Sequence, residues 1–145
     1  PQTARLPYDL RFHGEIRQCG KVTSLRCTVY TLTGGAHGLL TNLFFNFDTE
    51  SGKPLDKADL FSDTAGLQRL NRQYFAKHLS DAALSEDALF VGTDQLPLPE
   101  NVGIDSSGVT MLYNPYEVAP YAIGTIEYRI PYEQAEPLLK RIARR

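Results

Sequence analysis

The sequence has few of the residues that build metal and redox sites: no tryptophan, one methionine, two cysteines and three histidines. It contains no His-Glu-x-x-His, no His-x-His and no Cys-x-x-Cys, the spacings that bring zinc ligands together. A phosphate-binding loop ending in Gly-Lys-Ser/Thr and a Gly-x-Ser-x-Gly nucleophile elbow are absent too. The sequence therefore predicts no metal and no cofactor, and it offers no evident nucleophile for an enzyme.

Long apolar runs and a charge excess are also missing. No stretch approaches the ~20 consecutive apolar residues of a membrane helix, and residues 1–5 lack the apolar core of a signal peptide. We therefore expect no membrane span in this chain. Fifteen Lys and Arg against seventeen Asp and Glu leave a net charge of −2, which favours no binding to nucleic acid. With 42% hydrophobic residues, the composition predicts one soluble globular domain over residues 1–145.

The first clear pattern in the sequence is an alternation of apolar and polar residues. Three segments show the period of two that is typical of half-buried strands: residues 10–17, 22–33 and 39–48. In the first, Leu10, Phe12 and Ile16 alternate with charged residues, and residues 19–21 break the pattern as a turn. The second is rich in β-branched residues, which favour strands.

The third strand has two chemically different faces. Leu43, Phe45 and Phe47 share one face, and Asn42 and Asn46 lie on the other. Because hydrophobic burial is the main favourable term in folding, we expect the apolar face to line the core.

The hydrophobic period changes after this strand. Asp56 followed by Asp59 predicts a capped helical turn, and Ser62 or Asp63 caps a longer helix that runs to about Leu79. Strand patterns return at residues 102–105, 109–113 and 124–130, with a proline-containing loop at 114–121 between the last two.

The chain ends on a second helical pattern. Pro131-Tyr132 begins a predicted terminal helix that carries Leu138, Leu139 and Ile142. The fold class is therefore α+β: an antiparallel-rich sheet with a central helical insertion and a C-terminal helix packed on it.

The two cysteines are predicted to be free. With the hairpin turn centred on residues 20–21, Cys19 lies opposite Val22, and Cys27 is five residues further along, about 16 Å away at ~3.3 Å per residue. A disulfide needs Cα atoms within about 7 Å. Only a bulge, or Cys19 lying outside the ladder, would change this expectation.

Two loops carry the candidate functional residues. His37 lies among three glycines at residues 34–38, where it either bonds to nearby backbone or contacts a ligand. In the second loop Tyr116 and Tyr121 flank Glu117 and follow Asn114. Tyrosine is favoured at recognition surfaces, yet it also braces proline loops from within, and the pattern leaves both roles open.

Seven segments then carry a family resemblance. In chain order they are Ser-Leu-Arg-Cys-Thr-Val-Tyr at 24–30, Thr-Gly-Gly-Ala-His-Gly at 33–38, Phe-Asn-Phe-Asp at 45–48, Ser-Gly-Lys-Pro-Leu at 51–55, Asp-Leu-Phe at 59–61, Asn-Pro-Tyr-Glu-Val-Ala-Pro-Tyr-Ala at 114–122 and Ile-Pro-Tyr at 130–132. Together they resemble the RsiV-like domain of unknown function, over roughly residues 8–135. That domain is the extracytoplasmic part of a bacterial membrane anti-sigma factor that senses lysozyme. Similar domains occur beside polysaccharide deacetylase domains and in bacterial lipoproteins.

The resemblance implies a non-catalytic, extracytoplasmic binding module of the bacterial cell envelope, with a lysozyme-type hydrolase as a protein partner. The family motifs match at the candidate residues His37, Asn114, Tyr116, Glu117 and Tyr121. An alternative is an accessory domain that binds peptidoglycan, although sugar-stacking platforms favour the tryptophan that this chain lacks. A more distant alternative is a small hydrolase in which His37 is the base and Glu117 either orients it or acts as an acid.

Overall fold

The computed structural model describes residues 8–145, which form two antiparallel sheets and three α-helices. The first sheet contains β1 (Tyr8–Cys19), β2 (Val22–Thr33), β3 (Leu39–Asp48) and β4 (Pro54–Leu55), in that order. The second contains β5 (Asn101–Asp105), β6 (Gly108–Tyr113) and β7 (Ile126–Pro131). The helices are α1 (Lys57–Leu60), α2 (Thr64–Asp81) and α3 (Tyr132–Ala135). The α+β class is confirmed, but the strands form two sheets rather than one.

Local sequence signals explain where the helices begin. The carboxylate of Asp56 accepts a hydrogen bond from the backbone N–H of Asp59 at 2.9 Å, and the Asp59 carboxylate accepts one from the N–H of Asp56 at 3.0 Å. This reciprocal capping box starts α1. Asp63 caps α2 through the N–H of Gly66 at 2.8 Å, so it, and not Ser62, is the capping residue.

The second sheet is the middle layer of the molecule. One of its faces carries Val102, Met111 and Ile130, which pack with α1, α2 and the C-terminal segment in the main hydrophobic core. Its edge strand β5 meets the first sheet through polar contacts of its backbone: Ile104 N–H donates to Ser24 Oγ at 2.9 Å, and Asn46 Nδ2 donates to the Val102 carbonyl at 2.8 Å. The two sheets are therefore joined by hydrogen bonds, and the apolar core lies on the helical side.

The expected core face of the first sheet is wrong. Leu43 and Phe45 are exposed, and so are Phe12 and Ile16 on β1, whereas Asn42 on the opposite face is buried. The second sheet covers the polar face because polar side chains at the junction bond to backbone groups of both sheets. Ser24 and Asn46 bond to the backbone of β5, and Asn101 bonds to the backbone of β3. Alternation in a strand shows that two faces differ, but it does not show which face is covered.

The expected terminal helix is also wrong in extent. Helix α3 has four residues and is followed by separate 3-10 turns at Glu136–Leu138 and Arg141–Ala143. Pro137 supplies no backbone N–H, and Leu139 is extended and pairs with Phe61 in an isolated β-bridge. The chain thus leaves the helix to close the main core beside α1, so the apolar residues of this segment contact the core without a helical period.

The two cysteines lie on opposite faces of the first sheet. Cys19 pairs with Val22, is buried and directs its Sγ at the Ala143 carbonyl at 3.1 Å. Cys27 pairs with Gly14 on the other face and is half-buried. Both thiols are free.

A buried polar network joins α2 to the second sheet. Tyr128 donates its hydroxyl proton to Asn71 Oδ1 at 2.6 Å, Asn71 Nδ2 donates to the Tyr113 hydroxyl at 2.8 Å, and that hydroxyl donates to the Pro97 carbonyl at 2.6 Å. Burial raises the pKa of Tyr113 to about 12 and also raises the pKa of Tyr128. Both phenols stay neutral because the site provides little solvation for a phenolate.

We expect an alkaline titration to show late-ionising tyrosines in the folded protein. Since the folded-state pKa of Tyr113 lies above the unfolded value of about 10, its contribution to stability is complete below about pH 10 and is lost as the pH rises toward 12. Tyrosinate absorbance measures the ionisation of the phenols, and circular dichroism at the same pH values shows whether the protein is still folded. Tyr113→Phe and Tyr128→Phe should each remove one late step. Ionisation of both phenols near pH 10 in a folded protein would contradict the network.

Candidate binding site

The structure brings three of the five candidate residues together in an aromatic cluster: His37, Tyr116 and Tyr121. The His37 and Tyr121 rings stack with centroids 3.9 Å apart and planes 20° apart. The Tyr116 ring lies 5.8 Å from that of Tyr121, with the planes 30° apart. His37 and Tyr116 are exposed, and Tyr121 is half-buried between them. The cluster therefore presents ring faces and edges to solvent.

The glycine-rich loop between β2 and β3 supplies one side of the cluster. The Gly38 carbonyl accepts a hydrogen bond from the Tyr121 hydroxyl at 2.7 Å, and it lies 3.2 Å from His37 Nδ1. A side chain at Gly38 would overlap the Tyr30 ring, so only glycine fits there. The loop is thus tied to the second loop through a backbone oxygen, which holds the imidazole against the phenol.

Asn114 holds the second loop against the first sheet. Its Oδ1 accepts from the Asn42 N–H at 2.7 Å and its Nδ2 donates to the Asn42 carbonyl at 2.8 Å. The Asn114 amide therefore makes the two hydrogen bonds that a neighbouring strand would make with the edge of β3 at this position. Asn114 is buried, and its side chain positions the loop and is not available to a partner.

Tyr116 is held in a conformation that tyrosine rarely adopts. Its φ is +74°, in the left-handed region, and its N–H donates to the Ala119 carbonyl at 3.1 Å. The residue is 55% exposed, so burial compensates only in part for this conformation. Strain of this kind is concentrated at functional sites, where it fixes the direction of a side chain.

Glu117 is used locally and is not paired with His37. Its carboxylate accepts from the backbone N–H of Asn114 at 3.0 Å, while the His37 Nδ1 faces Gly38. No hydrogen bond joins His37 to Glu117 in the described part of the chain. The pair that general-base catalysis would need is therefore not formed.

Phe90 belongs beside this site, and the sequence analysis did not identify it. The side chain is 57% exposed, and its N–H donates to the Val118 carbonyl at 2.9 Å, within the second loop. Leu89 and Val91 on either side pack against a second hydrophobic core, which includes Val118 and Ala119. Leu89 and Val91 therefore face the core, and the Phe90 side chain between them is exposed to solvent.

The stretch of sequence that carries Phe90, Tyr116 and Tyr121 is acidic. Residues 78–128 contain no lysine or arginine and eight aspartates and glutamates. Four of the eight are in ion pairs: Asp81, Glu100, Asp105 and Glu127. The other four are exposed and form no ion pair with any residue from 8 to 145: Glu86, Asp87, Asp94 and Glu117. We call the aromatic cluster, Phe90 and these four carboxylates the aromatic–acidic surface.

A cleft lined by several charged side chains lies elsewhere, and its charges balance. Between the sheets, Arg26 contacts Glu127 at 2.8 Å and Arg129 contacts Asp105 at 3.1 Å, around a cavity of about 110 Å³. Because every cation here has a carboxylate beside it, the cleft has no net attraction for a charged ligand. Its contacts join the two sheets.

Two classes of site are not seen in the described part of the chain. Residues 8–145 contain no group of three or more His, Cys, Asp or Glu that could hold a metal ion. Among the helices of the same residues, none combines the length and the apolar character needed to cross a membrane.

Comparisons with known proteins place the fold. A DUF3298 family protein from Pseudomonas aeruginosa superposes with a TM-score of 0.75 at 22% identity, over 94% of this chain and 64% of that one. A DUF3298 member from Bacteroides fragilis gives 0.73 at 27% identity, over 97% of this chain and 58% of that one. The chain thus spans about three fifths of both structures. No curated protein sequence matches it.

The family model for DUF3298, described as a protein of unknown function, matches residues 58–133. This range covers α1 except its first residue, and all of α2, the second sheet and the loop of Tyr116 and Tyr121. It is slightly more than half of the 145 residues. The chain belongs to the DUF3298 family.

Proposed function

We propose that this domain is an RsiV-like, non-catalytic binding module of the bacterial cell envelope, located outside the cytoplasm, whose aromatic–acidic surface binds a basic protein of the lysozyme type. The observation that carries the proposal is the stacked His37–Tyr121–Tyr116 cluster on two hydrogen-bonded loops. Exposed tyrosines on a rigid support are typical anchors of protein interfaces because little side-chain entropy is lost on binding.

Charge supports a basic partner. The exposed carboxylates of Glu86, Asp87 and Asp94 flank Phe90 in sequence and form no ion pair with any residue from 8 to 145. Their field attracts a positively charged protein and disfavours an acidic one. The net charge of −2 conceals this region, because the fifteen lysines and arginines all lie outside residues 78–128.

Calorimetric titration with hen lysozyme tests the proposal. We expect binding that weakens as salt rises, since exposed charges are screened over about 8–10 Å at physiological ionic strength. The triple variant Glu86→Gln, Asp87→Asn, Asp94→Asn should weaken binding about tenfold and reduce the salt dependence. A matched control, Asp81→Asn, removes a carboxylate of the same region that is already paired with Lys77. Absence of binding at low salt would contradict the proposal.

A glycan ligand is the second candidate, and the geometry of the two tyrosines favours it over other small ligands. The ring centroids of Tyr116 and Tyr121 lie 5.8 Å apart with the planes tilted by 30°, an arrangement on which a sugar can stack. Soluble peptidoglycan fragments are titrated in parallel. Binding of fragments that is insensitive to salt and to the triple variant, without binding of lysozyme, would assign the surface to peptidoglycan.

A further inference from the structure

The outer face of the first sheet carries no charge at all. We define it as the even positions of β1 and the odd positions of β2 and β3, which the strand register places side by side. Its central rows are Phe12–Val29–Thr41, Gly14–Cys27–Leu43 and Ile16–Leu25–Phe45. All six charged residues of these strands lie on the opposite face: Asp9, Arg11, Glu15, Arg17, Arg26 and Asp48.

This outer face is large for a monomer. Phe12 is 72% exposed and Ile16 is 68% exposed, and Tyr8, Leu10, Leu43 and Phe45 are exposed beside them. At 150–250 Å² for each aromatic side chain and less for the aliphatic ones, the exposed apolar area is on the order of 700 Å². The largest apolar patch of a typical monomer is about 300–600 Å². Such a face is expected to be covered.

We propose that a second copy of this chain covers the outer face, giving a two-fold symmetric dimer in which the two first sheets pack face to face. Two copies would bury on the order of 1,400 Å², within the 1,200–2,000 Å² of stable protein interfaces. A face that meets its own copy must be complementary to itself, and an uncharged face meets this condition without repulsion. Face-to-face packing at about 10 Å is an ordinary arrangement of sheets.

The dimer leaves the aromatic–acidic surface free. That surface is built on the glycine-rich loop between β2 and β3, on the second loop and on the segment around Phe90, and none of its residues occupies an outer-face position. The proposal is therefore independent of the proposed function, and each can fail without the other.

Analytical ultracentrifugation of the 145-residue chain measures the association directly. Interfaces of this size dissociate in the micromolar range or below, so we expect twice the chain mass of 16.2 kDa at about 10 µM. Phe12→Lys places an unpaired charge in the interface and should weaken association at least 100-fold. Phe90→Lys makes the same substitution at a comparably exposed phenylalanine outside the outer face, and it should leave the dimer intact.

Cysteine reactivity gives a second readout that needs no substitution. Cys27 lies in the middle row of the outer face, and Cys19 is buried on the opposite face. Maleimide labelling of Cys27, resolved by peptide mass spectrometry, should slow at least tenfold when the protein concentration rises through the dissociation constant. Cys19 should label slowly throughout.

Circular dichroism shows whether each variant is folded, and Ile16→Lys replaces Phe12→Lys if the latter unfolds. A 16.2 kDa monomer at about 100 µM with concentration-independent labelling of Cys27 would overturn the proposal and assign the face to another occupant, such as an amphipathic helix. A dimer that Phe12→Lys and Ile16→Lys leave intact would overturn it as well.

Discussion

Replacing Asn114 with alanine is expected to lower the free energy of unfolding by about 3 kcal/mol. The side-chain amide pairs with both the N–H and the carbonyl of Asn42, at 2.7 and 2.8 Å, in the interior. Its removal leaves two buried backbone groups without a partner, and each such group costs about 1–3 kcal/mol. Denaturant unfolding followed by circular dichroism measures the loss.

Asn101 provides the matched comparison. It is also a buried asparagine that caps the edge of β3, but its Oδ1 accepts only from the Phe44 N–H, at 2.9 Å. Asn101→Ala should therefore cost about half as much as Asn114→Ala. Equal losses, or a smaller loss at position 114, would show that the paired amide contributes little to joining the loop to the sheet.

The second large effect is expected at Tyr116, where stability and binding should change in opposite directions. Glycine adopts the observed φ of +74° without a steric penalty, so Tyr116→Gly should raise the free energy of unfolding by about 0.5–1 kcal/mol. The same change removes an exposed ring of the aromatic cluster and should weaken lysozyme binding at least tenfold, because anchor tyrosines contribute about 2 kcal/mol or more.

A tyrosine outside the surface provides the control. Tyr8 is exposed on the outer face of the first sheet, and Tyr8→Ser should leave lysozyme affinity unchanged. Calorimetric titration and denaturant unfolding of the same samples separate the two effects. A Tyr116→Gly protein that is less stable but binds normally would show that this tyrosine supports the loop and contacts no partner.

The elements of the fold follow from local patterns in the sequence. Strands β2 and β3 have the bounds that alternation predicts, and the Asp56 and Asp59 spacing marks the start of α1. These features depend on neighbouring residues only. The arrangement of the layers depends instead on residues that are distant in sequence. The first sheet turns its polar face inward and bonds with a sheet that lies some 60 residues away along the chain.

Local sequence patterns likewise predict only part of the candidate site, because some of its features depend on distant residues. His37, Tyr116 and Tyr121 stood out because their loops are rich in glycine, proline and tyrosine, and the structure brings them together. Asn114 carries the same kind of motif signal, yet its amide faces the interior, and a polar residue's direction depends on the partner across the fold. Nothing local indicates the positive φ of Tyr116, a conformation in which glycine or asparagine is the usual residue.

One signal for the site was present in the sequence and is visible only when charge is read by segment. The absence of lysine and arginine over residues 78–128 marks the acidic region that contains Phe90 and the second loop. Charge asymmetry within a chain is a recognised indicator of partner preference. The net charge of the whole chain hides this asymmetry, because the lysines and arginines outside residues 78–128 offset the carboxylates within them.

The most direct test of the account is a residue-resolved titration. Isotope-labelled protein is titrated with unlabelled hen lysozyme, and amide chemical shifts are followed by nuclear magnetic resonance. The account predicts shifts at His37, Tyr116, Tyr121 and residues 86–94, reduced by salt and nearly abolished in the Tyr116→Gly variant. Saturable shifts confined to the outer face of the first sheet, or no shifts at these positions, would contradict it.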